Sequence, residues 1–212
     1  MKILKQNGTG IQKLYNRHTS IYRRTVTEKV RHIIEDVRVH GDEAVIKYTR
    51  RFDKVKLTAK QLRVPENEIS GAFQNITNDF ISNLKIILNN VTLFYKKQVH
   101  KPAYVRHDDG ILLKENILPL DSLGIYIPAG TAPLVSSVYM TVIPAKVAGV
   151  KRIVIATPPN KDGNVDPYIL AVANLLKVSE IYKIGGAQAI AALSFGTKHI
   201  PKIDKIIGIL LS

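Results

Sequence analysis

The chain has 212 residues, enough for one domain or two small ones with an ample core. Its 31 Lys+Arg against 17 Asp+Glu give a net charge of +14, but the bases fall in mere pairs such as Arg23-Arg24, Arg50-Arg51 and Lys96-Lys97, which reads as a solvated surface rather than a nucleic-acid interface. The lack of cysteine excludes disulfides, thiolate catalysis and Cys-ligated zinc, and no apolar run reaches the ~18 residues that span a bilayer, so no membrane partner and a cytoplasmic location are expected.

Met1 to Thr19 shows little periodicity and reads as a loosely anchored amino terminus. From Thr27, a candidate cap, Val30, Ile33, Ile34 and Val37 follow a helical stripe that Gly41 interrupts and Glu43 to Thr49 resumes. Leu57 to Pro65 reads as a loop with a short extended piece. One or two amphipathic helices fill 66 to 98, with Phe73 and Phe80 as core residues. Asp109-Gly110, between Tyr104-Val105-Arg106 and Ile111-Leu112-Leu113, marks a hairpin, because this dipeptide favours the positive-φ turn that joins antiparallel strands.

After residue 120 the pattern changes. Leu123, Ile125 and Ile127 alternate with Gly124 and Tyr126 in a strand that Pro128 stops, and Gly130 and Pro133 continue a rigid loop into a helix that Ser136 or Ser137 can cap. Strands beginning near Leu123, Arg152, Glu180 and Lys205 stand 25 to 29 residues apart, the length of a βα unit, with helices at 136–149, 166–177 and 187–195 between them. The fold class is therefore α/β. An incomplete Rossmann-like parallel sheet over 120–212, stopping at its fourth strand, follows a mainly helical region with a hairpin over 1–119.

Loops at the carboxyl ends of such strands bind ligands. Tyr126, just before the bend, is on the residues alone either a half-buried strand aromatic, the commoner case, or a ring placed to stack on a planar ligand. Gly185-Gly186-Ala187-Gln188 joins a strand to a helix whose first amides could meet a phosphate or a polar ligand edge, although on spacing alone a tight turn is the stronger reading. Among six histidines, His32 stands at helical spacing from Glu35 and Asp36, which reads as a solvated charge pair, and no metal site can be argued. Lys146 is given no role.

The stretch Tyr126-Ile127-Pro128-Ala129-Gly130-Thr131-Ala132-Pro133, with Met140, Pro144 to Gly149, Gly185 to Leu193, Phe195-Gly196-Thr197 and Pro201 to Ile206, resembles the histidinol dehydrogenase family. Asp36-Val37-Arg38, Gly41-Asp42, Tyr48-Thr49 and Arg51-Phe52-Asp53 resemble its amino-terminal half. The resemblance implies a zinc-dependent homodimeric enzyme that oxidises L-histidinol to L-histidine with NAD, and it implies that Tyr126 and Gln188 contact the NAD. Zinc ligands and proton-moving residues belong to the family's second half, so this chain is expected to be an inactive, truncated part with neither catalytic nor metal residues. Gly208-Ile209-Leu210-Leu211-Ser212 stands where the family has a Gly-Pro-Gly-Asn turn bearing a third NAD contact, Ala129 replaces a glycine, and Glu115 stands where glutamine is common. The alternatives are a related zinc-dependent dehydrogenase of another substrate and a non-catalytic interaction module.

Overall fold

Alternation along three strands decides the layering. Leu123, Ile125, Ile153, Ile155 and Ile181 pack into one core cluster, while Val154, Ala156 and Tyr182, which point the other way, pack into a second. The strands are therefore covered on both faces. The computed structural model describes residues 21–128 and 133–208; the expectations for the amino terminus, for Ala129 and for residues 209–212 fall outside them.

Helices α1 (Ile21–His40) and α2 (Asp42–Phe52) meet at Gly41, whose φ of 54° lets the chain turn between them. The α1 helix starts at Ile21, one and a half turns before the expected start, so Thr27 lies inside it and does not cap it. A 3-10 turn follows at Ala59–Gln61, then α3 (Glu66–Gly71), a second 3-10 turn (Ala72–Asn75) and α4 (Asn78–Lys97), whose Phe80 N–H is capped by Thr77. Strands β1 (Tyr104–Arg106) and β2 (Leu112–Lys114) form the expected hairpin, with Gly110 at φ 89°.

The parallel sheet comprises β3 (Ser122–Tyr126), β4 (Arg152–Thr157), β5 (Glu180–Lys183) and β6 (Lys205–Gly208), linked by α5 (Val135–Val147), α6 (Pro167–Leu175) and α7 (Gly186–Phe195). Ser136 and Ser137 lie within α5, whose cap position is Leu134, because the helix begins at Val135, two residues before the start that a Ser136 cap would require. The sheet order is β5-β4-β3-β6, so the chain runs outward from β3 through β5 and then crosses back to lay β6 on the other side of β3. Asp204 fixes that last pairing by accepting both the Ser122 N–H (3.0 Å) and the Ser122 hydroxyl (2.5 Å).

Helices α5 and α6 cover the first face, with α3 and α4 packed against them; α7 covers the second, with α1 and α2 outside it. Leu62–Val64, the expected extended piece, runs antiparallel along the outer edge of β5, where the Val64 N–H donates to Ile181 (2.8 Å) and the Lys183 N–H to Leu62 (2.7 Å). That strand edge is thereby satisfied by the helical region.

Candidate functional site

The reversal in strand order lies between β3 and β6, and it opens a crevice at the carboxyl end of the sheet. Tyr126 is the last residue of β3, in register with Gly208 of β6. Its hydroxyl accepts the backbone N–H of Gly186 at 3.1 Å, across 60 residues of sequence. The two stretches singled out in the sequence are thus joined. The same bond corrects one expectation, since the Gly186 amide at the start of α7 is given to Tyr126 rather than left for a ligand.

Gly185 and Gly186 shape the turn from β5 into α7. A β-carbon on Gly185 would lie 2.5 Å from Cγ of Pro158, the first residue past β4's last ladder pair, and Gly186 has φ of 62°. Neither position admits a side chain without displacement. The tightness places the Gln188 amide back over the turn, where its Oε1 lies 2.8 Å from where a Gly186 β-carbon would be. Gln188 is 1% exposed, yet neither Oε1 nor Nε2 has a hydrogen-bond partner. A buried amide normally finds partners, so this side chain has donor and acceptor capacity for a bound group.

Other polar side chains near the strand ends share that condition. Thr157, the last residue of β4, has a buried Oγ1 without a partner, as has Thr49, one turn before Asp53. Asp53 follows α2 and turns its Oδ1 to 3.4 Å from the Gly185 β-carbon position, while its Oδ2 is buried and unpartnered. Burial lifts its carboxyl from 3.8 to about 6. In sequence, the signal for Asp53 is its place in the Arg51-Phe52-Asp53 match.

A pair that sequence spacing could not reveal braces the far end of α7. Asp42 Oδ1 accepts the Thr197 hydroxyl at 2.5 Å and its Oδ2 pairs with His199 Nδ1 at 2.6 Å. Burial opposes ionisation of Asp42, but the bonds from His199 and Thr197 outweigh it and hold the carboxyl below its ordinary range. The expected grouping at His32 is not the one formed. Asp36 pairs with His40 (2.8 Å) and Lys47 (2.8 Å), and Glu35 with Arg38 (2.6 Å). Lys146 lines a cleft of about 410 Å³ with Lys151, Arg152 and Lys177 at the amino ends of β4 and β5, opposite the crevice. Among the described residues no group of three His, Asp or Glu side chains is placed to hold a metal ion, and no helix is long and apolar enough to cross a membrane.

The histidinol dehydrogenase family model matches residues 16–209. This chain belongs to the histidinol dehydrogenase family. It is 47% identical over 183 residues to the histidinol dehydrogenase of Clostridium acetobutylicum, an alignment covering 86% of this chain and 42% of that protein. With the Geobacillus kaustophilus histidinol dehydrogenase it shares 44% identity over 209 residues, 98% of this chain and 48% of the relative. The crystal structure of histidinol dehydrogenase from Elizabethkingia anophelis superposes with a TM-score of 0.84 at 38% identity, over 88% of this chain and 43% of that one. The chain thus spans less than half the length of these relatives.

Proposed function

We propose that this chain supplies the dinucleotide-holding part of an enzyme that oxidises L-histidinol to L-histidine with NAD in histidine biosynthesis, with Tyr126 and Gln188 as its NAD contacts. The carrying observation is the convergence of these two residues on the Gly185–Gly186 turn at the sheet's reversal, with the Gln188 amide buried and unpartnered. Gln188 offers a donor and an acceptor to a polar ligand edge. Tyr126 is half-buried, and its hydroxyl anchors the ring at the mouth of the crevice. Bound NAD supplies the hydride acceptor. The described residues fit zinc poorly, so no step is assigned to metal here. On the same reading the enzyme works in the cytoplasm and pairs with a second copy.

Equilibrium titration of NAD tests the assignment. Gln188→Ala and Tyr126→Phe are each expected to weaken binding, Gln188→Ala by about tenfold, the effect of leaving one or two polar ligand atoms unpaired. Affinities equal to wild type would remove both residues from the site.

A further inference from the structure

At the end of the sheet opposite the crevice, four basic side chains gather and three of them lack a counter-charge. The last turn of α5 carries Lys146, and Gly149, at φ 87°, turns the chain into Lys151 and into Arg152 at the head of β4. One βα unit later Lys177, at φ 53°, makes the corresponding turn from α6 into Ser179 and into Glu180 at the head of β5. Because β4 and β5 are paired, the two turns lie side by side and line one cleft of about 410 Å³, within the ~300–1,000 Å³ range of small-molecule sites. Glu180 is the only acid lining it, and Arg152 occupies both of its oxygens, at 2.8 and 2.6 Å. None of the ion pairs among the described residues includes Lys146, Lys151 or Lys177. Lysines at helix carboxyl ends commonly face the helix dipole, a role that favours the charged ammonium. At Lys146 the balance runs the other way, since burial and then the charge of Lys177 push its amine below the ordinary range. Two cations that repel one another across a cleft leave room for an anion between them.

We propose that this cleft is a second binding site, separate from the crevice, in which Lys146, Lys151 and Lys177 hold the phosphate chain of a small oligophosphate ligand. The donor set selects the class. A planar carboxylate is best met by the fork of a guanidinium, and the one guanidinium here, Arg152, is already spent on Glu180. Lysine ammoniums are point charges with rotatable donors, which suit the tetrahedral oxygens of phosphate. A chain of phosphates spreads its charge over several such groups, so it can reach lysines that come from two neighbouring turns. The Ser179 hydroxyl on the same lining adds a neutral donor.

The test titrates the 212-residue chain with tripolyphosphate at fixed low salt, comparing wild type with Lys146→Gln, Lys177→Gln, Gln188→Ala and Lys29→Gln, the last an equal loss of charge on α1 at the other face of the sheet. Saturable binding by wild type should weaken about fivefold in Lys146→Gln and in Lys177→Gln, the effect of losing one exposed charge contact, and should be unchanged in Lys29→Gln and Gln188→Ala. Equal weakening by Lys29→Gln would mean that net charge alone attracts the anion, and weakening by Gln188→Ala would put the anion in the crevice; either result overturns the proposal, as does the absence of saturable binding. A measurement on wild type needs no variant to fold: with tripolyphosphate, the amide resonances of residues 149–152 and 177–180 should shift while those of Gly185 and Gly186 stay in place, and the converse pattern overturns the proposal. ATP, read by its displacement of tripolyphosphate, separates the two sources of such a chain. Displacement at lower concentration than unlabelled tripolyphosphate assigns a nucleotide-borne chain, and equal or weaker displacement a free one.

Discussion

Asp53 carries a signature that any ligand-free preparation should show. Its carboxyl holds its proton up to about pH 6 when folded, against 3.8 when unfolded. Between these values the folded state binds more protons, so this group lowers stability as pH rises through that window. The shift has a ceiling near 3 kcal/mol, and partial exposure reduces the expected effect to about 1 kcal/mol. Urea unfolding of wild type and Asp53→Asn at pH 5 and pH 7.5 should show the variant gaining stability relative to wild type at the higher pH. A difference that does not change with pH would mean that the carboxyl ionises freely. At Gly186 the expected effect is steric. Gly186→Ala forces a β-carbon at φ 62° to within 2.8 Å of Gln188 Oε1, so it should cost about 1 to 2 kcal/mol and weaken NAD binding with it.

At the scale of elements, the sequence disclosed what local chemistry dictates. The strands at 25 to 29 residue intervals, the hairpin at Asp109-Gly110 and the helix ended by Gly41 were legible because each depends on neighbours in sequence. Leu57 to Pro65 reads as a loop with a short extended piece, but nothing in it says that Leu62–Val64 will line the edge of β5. Asp42 and His199 lie 157 residues apart, and Asp53 meets Gly185 only because α2 packs on α7. Tyr126 and Gln188 were found through resemblance, since a strand aromatic and a glutamine after two glycines have ordinary readings. Gly124 is a further case. In sequence it is a weak strand residue, whereas in the fold a β-carbon there would come within 3.2 Å of Leu193 Cδ1, so it sets how closely α7 approaches β3. Gly124→Val should therefore cost about 1 to 3 kcal/mol in urea unfolding, the effect of overpacking a filled layer. A change below 0.5 kcal/mol would show that α7 can give way, the range of an ordinary surface substitution.

For the whole molecule, the amino-terminal helices and the sheet share two continuous cores, in which Val37, Val45 and Tyr48 lie with Val154 and Leu193, and Ile69 and Leu84 with Ile155 and Ile169. Cutting between them would expose both. On the proposed reading the 212 residues hold NAD but lack the family's metal-binding and proton-moving groups, so a histidinol-dependent assay of NAD reduction on them alone should give no turnover. Zinc-stimulated turnover abolished by a chelator would contradict this.

The Ser122–Asp204 contact also bears on time. Strands β3, β4 and β5 pair through crossovers of about thirty residues, whereas β6 must find β3 across 82 residues of intervening chain. Long closures come late and open early, so β6 should dock last in refolding and its amides should exchange with deuterium before those of β4. Ser122→Ala removes the hydroxyl latch and should speed that exchange while leaving β4 and β5 protected. Because Tyr126 lies between β4 and β6, the crevice acquires its second wall only in this final step, and a newly made chain gains its ligand-holding shape after the rest of its sheet.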